Sequence, residues 1–148
     1  MATDKHLLID VHTHLMDGGL YTEDTNPDPI GYALREMDEA GVDISVLLGI
    51  GFGPRDLEDN NRLIKKAVDE HPDRFIGFVG VNPHEGERKV RDTVDRAVES
   101  WGFRGIKMHQ WLQMFPTNDP IVDPVMERAA HHGIPVLFHS GTPPYTTP

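Results

Sequence analysis

The sequence predicts an α/β fold in which buried parallel strands alternate with amphipathic helices. Three observations support this prediction: short apolar runs recur about every 30 residues, stretches with helical spacing separate them, and glycine or proline stands at many of the transitions. One strand and one helix together need about 30 residues, so consecutive strands are expected to be parallel, with right-handed crossovers.

Five apolar or β-branched runs predict the strands, and four stretches between them predict the helices. The strands are expected at 7–12, 44–50, 75–81, 103–109 and 134–140. The helices are expected around Ile30, Leu34 and Met37; around Leu63, Ile64, Ala67 and Val68; around Val90, Val94, Ala97 and Val98; and around Ile121, Val122, Val125, Met126 and Ala129.

Helix-terminal residues support the same assignment. Gly41 and Gly133 fall where a helix must end in a left-handed residue. Asp119 followed by Pro120 is typical of a helix N-cap and first helical position.

Composition limits the classes of protein to consider. A chain of 148 residues, with 38% hydrophobic and 26% charged residues, is expected to form a single domain spanning 1–148. A net charge of -10 argues against nucleic acid as a partner. No apolar run reaches the roughly 18 residues that a membrane span requires, and "MATDKH" lacks a signal-peptide pattern, so a cytoplasmic protein without membrane contact is expected.

Histidines at the ends of predicted strands are the main functional signal. With no cysteine and nine histidines, a metal ion could be held only by imidazole and carboxylate ligands. His12 and His14 end the first strand in "LLIDVHTHL", His109 ends the fourth, and His139 closes "IPVLFH". Sites of parallel α/β folds lie at the carboxyl ends of strands, and alternation places Asp10, His12 and His14 on one face. We therefore predict metal ligation by His12 and His14, joined by His139.

The residues leave two α/β architectures open, an open doubly wound sheet and a closed (β/α)₈ barrel. "HTHLMDGG" lacks the G-x-G-x-x-G pattern that an open dinucleotide-binding sheet shows after its first strand. The fragments "IDVHTH", "FRGIKMH" and "GIPVLFHSGTPP" resemble the amidohydrolase superfamily. The most similar group contains aminocarboxymuconate-semialdehyde decarboxylase and γ-resorcylate decarboxylase. The resemblance extends over nearly the whole chain through "EMDEAGVDISVLLG" and "EHPDRFIGFVGVNP".

The resemblance implies a distorted TIM barrel with one divalent ion, usually zinc with manganese as the alternative, held here by His12, His14 and His139. The family barrel has eight strands, with a catalytic histidine on the sixth and a metal-binding aspartate on the eighth. A (β/α)₈ barrel takes about 250 residues. The expectation is therefore an incomplete barrel of about five strands and four helices, truncated after the fifth strand, with the catalytic residues beyond Pro148.

Substrate contacts are predicted at Lys107, His109 and Arg55. Lys107 and His109 share a face of the fourth strand, and Lys107 could pair with a substrate carboxylate or with Asp10. Arg55, in the loop after the second strand, could hold an anionic substrate through two hydrogen bonds.

The reaction is predicted less closely than the site. The first hypothesis is a metal-dependent hydrolase that acts on a small carboxylate, ester, lactone or amide. The second is a metal-dependent, non-oxidative carboxy-lyase, because the same ligands serve both reactions. The third is a non-catalytic half-barrel that pairs the exposed edges of its first and fifth strands with a second chain, as in a homo-oligomer.

Overall fold

The computed structural model describes residues 6–16, 26–51 and 57–141 of the chain. Five strands form one sheet: β1 (Ile9–Thr13), β2 (Ile44–Leu48), β3 (Phe75–Gly80), β4 (Gly105–Met108) and β5 (Val136–Phe138). The strands lie side by side in chain order, and each neighbouring pair is parallel. The sheet curls into a half-barrel. The predicted α/β class and the incomplete barrel are confirmed.

Four helices connect the strands, as the sequence predicts. They are α1 (Pro29–Ala40), α2 (Leu57–Glu70), α3 (Glu87–Asp95) and α4 (Asp123–His132). A π-helical turn, Arg96–Ser100, continues α3, and short 3₁₀ turns at Pro83–Glu85 and Pro120–Val122 precede α3 and α4. The strands are shorter than predicted because an apolar run continues into the loops beyond the ladder hydrogen bonds.

The predicted helix ends are found with specific capping geometry. The Asp28 side chain accepts a hydrogen bond from the Gly31 amide at 3.0 Å, which satisfies a free donor in the first turn of α1. Gly41 and Gly133 end α1 and α4 in the left-handed conformation, with φ of 71° and 64°. Asp119 caps the 3₁₀ turn before α4 by accepting from the Ile121 amide at 2.9 Å.

A bulge interrupts β1 between Asp10 and Thr13, in the segment that contains His12. Asp10 lies opposite Ser45 of β2, but Thr13 lies opposite Leu47, so three residues of β1 advance against two of β2. Strict alternation of side chains, on which the sequence prediction for β1 rests, does not hold through this segment. The bulge re-aims the side chains at the strand end that carries His12 and His14.

The main hydrophobic core lies between the sheet and its helices. Strand residues such as Val79, Ile106 and Met108 belong to one buried cluster with helix residues such as Val94 and Val125. Other strand residues, among them Val46 and Leu48, are buried outside this cluster. The helix layer therefore holds the half-barrel rigid, while the carboxyl ends of the strands are left to carry polar side chains.

Candidate metal centre

The carboxyl ends of β1, β4 and β5 bring four histidines to the same end of the sheet. His12 lies within β1, and His14 is the first residue after β1. His109 and His139 are likewise the first residues after β4 and β5. The rings of His12 and His14 are edge to face with centroids 5.2 Å apart. The rings of His109 and His139 stack at 3.9 Å and 15°. Parallel pairing of β4 with β5 thus stacks two histidines that lie 30 positions apart in the chain.

His14 is oriented by the neighbouring strand. Its Nδ1 lies 3.0 Å from the Leu48 carbonyl oxygen, which can only accept, so Nδ1 carries the proton and donates. Nε2 is then left with the lone pair that a metal ligand needs. Burial lowers the pKa of His14; the Leu48 contact opposes this effect, and the charges of His12, Lys107 and His139 add to it. His14 is therefore a neutral imidazole near pH 7.

His12 has the same tendency, with less burial. Burial lowers its pKa, and the charges of Lys107 and His139 lower it further, whereas Asp10 raises it. Asp10 does not reach the imidazoles by hydrogen bonds. Its carboxylate accepts from the His12 amide at 2.9 Å and from the Thr13 hydroxyl at 2.8 Å, and these two bonds hold its pKa below the usual value. Asp10 therefore stabilises the bulged backbone that carries His12.

His109 is a neutral imidazole that accepts a hydrogen bond from the Leu112 amide. Burial, followed by the charges of His139 and Lys107, lowers its pKa to about 4. The Leu112 amide donates to His109 Nδ1 at 3.3 Å, so Nδ1 is the unprotonated nitrogen. The His109 ring lies flat against His139, and this contact couples the end of β4 to the predicted ligand on β5.

Lys107 is the most unusual residue of the strand ends. Its side chain is 1% exposed, and its Nζ has no hydrogen-bond partner in the part of the chain that the structure describes. Burial lowers its pKa. Pairing with Asp10, one of the two options that the sequence left open, is therefore wrong, because the Asp10 carboxylate bonds to its own strand instead.

The donor chemistry of His12, His14 and His139 suits a divalent ion, although their ligand atoms are not yet gathered. Across residues 6–16, 26–51 and 57–141, only Asp95, Glu99 and His132 have ligand atoms that all lie within 4.8 Å of one another. His12 is exposed and His139 is half-buried, so both side chains have room to change rotamer. The lowered pKa values of His12 and His14 favour the neutral imidazole, which is the form that binds a metal ion.

The Asp95 cluster lies in the helix layer, on the last residue of α3, the π-helical turn that follows it and the last residue of α4. His132 Nε2 and Arg128 Nη2 lie 2.8 Å and 2.6 Å from Asp95 Oδ1. A carboxylate already paired with a guanidinium has little to offer a second cation. We interpret this cluster as an ion-pair network that joins α3 to α4.

Two asparagines at the start of α2 fasten the strand ends and were not predicted. Asn60 donates to the Leu15 carbonyl at 2.8 Å and accepts from the Ile50 amide at 2.9 Å, which ties the segment after His14 to the end of β2. Asn61 is buried and bonds both the amide and the carbonyl of Gly80 in β3. The signal was the pair "NN" early in a helix, where asparagine is otherwise disfavoured.

Two glutamines after β4 have a similar role. Gln113 Oε1 accepts from the His109 amide at 3.0 Å, and its Nε2 donates to the Val81 carbonyl at 2.8 Å. Gln110 Nε2 donates to the His139 carbonyl and thereby links the β4 loop to the residue predicted to bind metal. Arg55, the remaining predicted substrate contact, lies in 52–56, outside the described residues.

Comparison with known proteins identifies the family of this site. A sequence model described as amidohydrolase matches residues 9–148, almost the whole chain. The chain belongs to the amidohydrolase family. Among the residues that the structure describes, no helix of this amidohydrolase is both long enough and apolar enough to cross a membrane.

Solved structures share the fold of this amidohydrolase at low sequence identity. A 5-carboxyvanillate decarboxylase from Novosphingobium aromaticivorans, complexed with manganese, is 20% identical at a TM-score of 0.72, over 95% of this chain and 52% of that one. A 2,6-dihydroxybenzoate decarboxylase from Rhizobium is 16% identical at 0.62, over 95% and 52%. A probable 2-pyrone-4,6-dicarboxylic acid hydrolase from Acinetobacter baumannii is 20% identical at 0.62, over 91% and 50%. The chain spans about half the length of these structures.

Proposed function

We propose that this chain supplies the ligands His12, His14 and His139 of a divalent metal centre in a metal-dependent hydrolase. The substrate class is a small carboxylate, ester, lactone or amide. The observation that supports this most is the convergence of imidazoles with lowered pKa at one end of a parallel sheet, in a chain of the amidohydrolase family.

Each proposed ligand has a supporting contact. His14 presents Nε2 because Leu48 fixes its Nδ1–H, and Asn60 holds the segment that follows it. The Asp10 carboxylate braces the amide of His12. Gln110 fastens the backbone of His139. A divalent ion bound by these residues would supply Lewis acidity toward a substrate oxygen and would make hydroxide available near neutral pH.

A carboxy-lyase is the second candidate, and a specific observation favours it. Two of the structural relatives are decarboxylases of aromatic carboxylates, and one of them holds manganese. The hydrolase relative is named for a dicarboxylic acid, so all three relatives are named for substrates that carry a carboxylate group. We therefore propose zinc or manganese as the ion and a carboxylate as part of the substrate. His109 and Arg55 are proposed substrate contacts.

A half-barrel that assembles with a second copy of the chain is the third candidate. It is supported by the exposed apolar side chains along the free edge of β1: Leu7, Leu8, Ile9 and Val11. An uncovered edge strand with apolar residues favours pairing. Equilibrium sedimentation distinguishes this candidate, because it predicts a dimer whose formation does not require metal.

Metal titration of the purified chain tests the main proposal. We expect the wild-type chain to bind about one equivalent of Mn²⁺ or Zn²⁺ in calorimetry, with the stoichiometry checked by elemental analysis. His14→Gln is expected to weaken binding by at least 10-fold, because second-shell changes alone already cost about that much. His71→Gln is the matched control, since His71 lies after α2, away from the strand ends.

Asp95→Asn completes this experiment by testing the competing cluster. Metal binding that survives His14→Gln but is lost in Asp95→Asn would place the ion in the outer helix layer and contradict the proposal. Binding that depends on His14 and is unchanged by Asp95→Asn supports it.

A further inference from the structure

Within residues 6–16, 26–51 and 57–141, the buried ammonium of Lys107 has no acidic hydrogen-bond partner. Its pKa is lowered by burial, and no carboxylate acts to raise it. Asp10, an acid of β1, already accepts two hydrogen bonds from its own strand. Its electrostatic neighbours are the histidines His12, His14 and His109, whose pKa values its charge lowers. A buried charge without a counter-ion is costly, so the position is set up for an anion that comes from outside the described chain.

A small cavity of about 20 Å³ adjoins the Lys107 side chain. Described residues that follow β2, β3 and β4 line it, among them Gly49, Gly51, Val81, His109, Leu112 and Gln113. This volume holds about one water-sized group, so it accepts one oxygen atom and not a whole aromatic ring. An anion with one oxygen in this cavity would have to extend toward the carboxyl ends of the strands.

The cavity lies next to the proposed metal ligands. His109 lines it, and the His109 ring stacks on His139 at 3.9 Å. An oxygen held in this cavity would therefore lie beside His109, whose ring contacts the proposed β5 ligand His139.

We propose that Lys107 and the adjoining cavity form a subsite that binds one oxygen of a substrate carboxylate, with the rest of the substrate lying toward His109 and His139. The inference rests on the proposed function, since it assigns the anionic part of that substrate. Lys107 acts in it as a binding and specificity-determining residue: neutral analogues of the substrate, in which an amide replaces the carboxylate, leave the ammonium unpaired and bind poorly.

The test uses the metal-free chain, so that it does not depend on the metal centre. The probes are formate and its neutral isostere formamide, titrated by calorimetry and by thermal unfolding at constant ionic strength and pH 7. We expect formate, and not formamide, to bind the wild-type chain and to raise its midpoint of thermal unfolding. Lys107→Met is expected to weaken formate binding by at least 10-fold. Lys66→Met is the matched control, because Lys66 is an exposed lysine of α2.

Several outcomes would overturn the inference. Equal formate affinity in the wild type and in Lys107→Met would place the anion elsewhere, and equal responses to formate and formamide would show that charge has no part. No response of the wild type to formate would also reject the subsite. A carbamate carbon signal on Lys107 after labelling with ¹³C bicarbonate would contradict it, since a carbamylated lysine is itself an anion. Lys107→Gln replaces Lys107→Met if the latter does not fold.

The two proposals fail independently. If the wild-type chain binds formate but no metal ion, the metal centre is rejected and the anion subsite stands. Normal metal binding that depends on His14, together with formate binding that does not depend on Lys107, would reject only the subsite.

Discussion

Two regions of this amidohydrolase are rich in ionisable side chains, but only one of them pairs opposite charges. In the outer helix layer, Asp95 accepts from Arg128 and His132, and Arg96 lies 2.6 Å from Glu58. At the strand ends, Lys107 and the histidines are all basic, and Asp10 is turned back on its own strand. The difference indicates that the helix layer uses charge pairs for stability, whereas the strand ends keep neutral imidazoles and one lysine available for a ligand.

The helix layer also packs the main hydrophobic core against the sheet. Of the substitutions proposed here, Phe103→Ala in that core should lower the free energy of unfolding most. Phe103 is 0% exposed and packs edge to face on Trp101 at 5.7 Å. Its ring also occupies the space over Gly77, where a Cβ would lie 2.6 Å from it. We expect a loss of about 3–5 kcal/mol in the free energy of unfolding, from lost burial and the cavity left behind. Urea unfolding followed by circular dichroism measures it.

The control for Phe103→Ala is Met114→Ala. Met114 is 86% exposed, so its truncation should change the free energy of unfolding by no more than about 0.5 kcal/mol. A loss below about 1 kcal/mol in Phe103→Ala would show that the helix side of the sheet is not the main source of stability.

At the strand ends, Lys107→Met should change the free energy of unfolding in the opposite direction. Replacing a buried, unpaired charge by an apolar side chain of similar length is expected to raise the free energy of unfolding by about 1–4 kcal/mol at pH 7. Urea unfolding in a buffer free of carboxylates measures this gain. The same substitution removes the proposed anion subsite, so stability and ligand binding are expected to change in opposite directions.

The pH dependence of that gain follows from the lowered pKa of Lys107. In the unfolded chain its pKa is 10.5, and burial places the folded value below this. Between the two values the unfolded chain binds more protons, so the wild-type chain gains stability as the pH rises through this window. The advantage of Lys107→Met should therefore be largest at pH values below the folded pKa of Lys107 and shrink as the pH approaches 10.5. A variant that is less stable than the wild type at pH 7 would mean that the ammonium has a native partner.

The sequence allowed the elements of the fold to be predicted because local rules determine them. Continuous apolar runs indicate buried parallel strands, and Gly41 and Gly133 do end their helices in the left-handed conformation. The position of the histidines at strand ends followed from the same reasoning, since parallel strands present their carboxyl ends at one edge. What these rules fix is the position of a residue along the chain, and this was enough to predict the region of the site.

The arrangement of side chains within the site could not be predicted, because it depends on contacts between distant segments. The β1 bulge between Asp10 and Thr13 breaks the side-chain alternation through His12, and only the register against β2 shows it. Asn60 joins Leu15 to Ile50 across 45 and 10 positions of sequence. The lack of a hydrogen-bond partner for Lys107 Nζ among the described residues likewise depends on how the strand ends assemble and cannot be read from "GIKMH".

The smallest expected effect concerns the ion pairs of the helix layer, and Asp95→Asn tests it. Burial alone would raise the pKa of Asp95, but hydrogen bonds from His132 and Arg128 outweigh burial and hold the pKa below 3.8. The stabilisation is therefore complete above pH 3.8, the unfolded value, and is lost as the pH falls through the lower folded value. We expect Asp95→Asn to lower the free energy of unfolding by about 1 kcal/mol at pH 7, with the difference closing below pH 3.8.

Asp92→Asn is the control, since its contact with Arg88 is exposed and 3.9 Å long, and should cost less than about 0.5 kcal/mol. Equal costs for the two variants at pH 7 would mean that the helix layer gains nothing from the buried part of its network, and the contrast with the strand ends would then rest on packing alone.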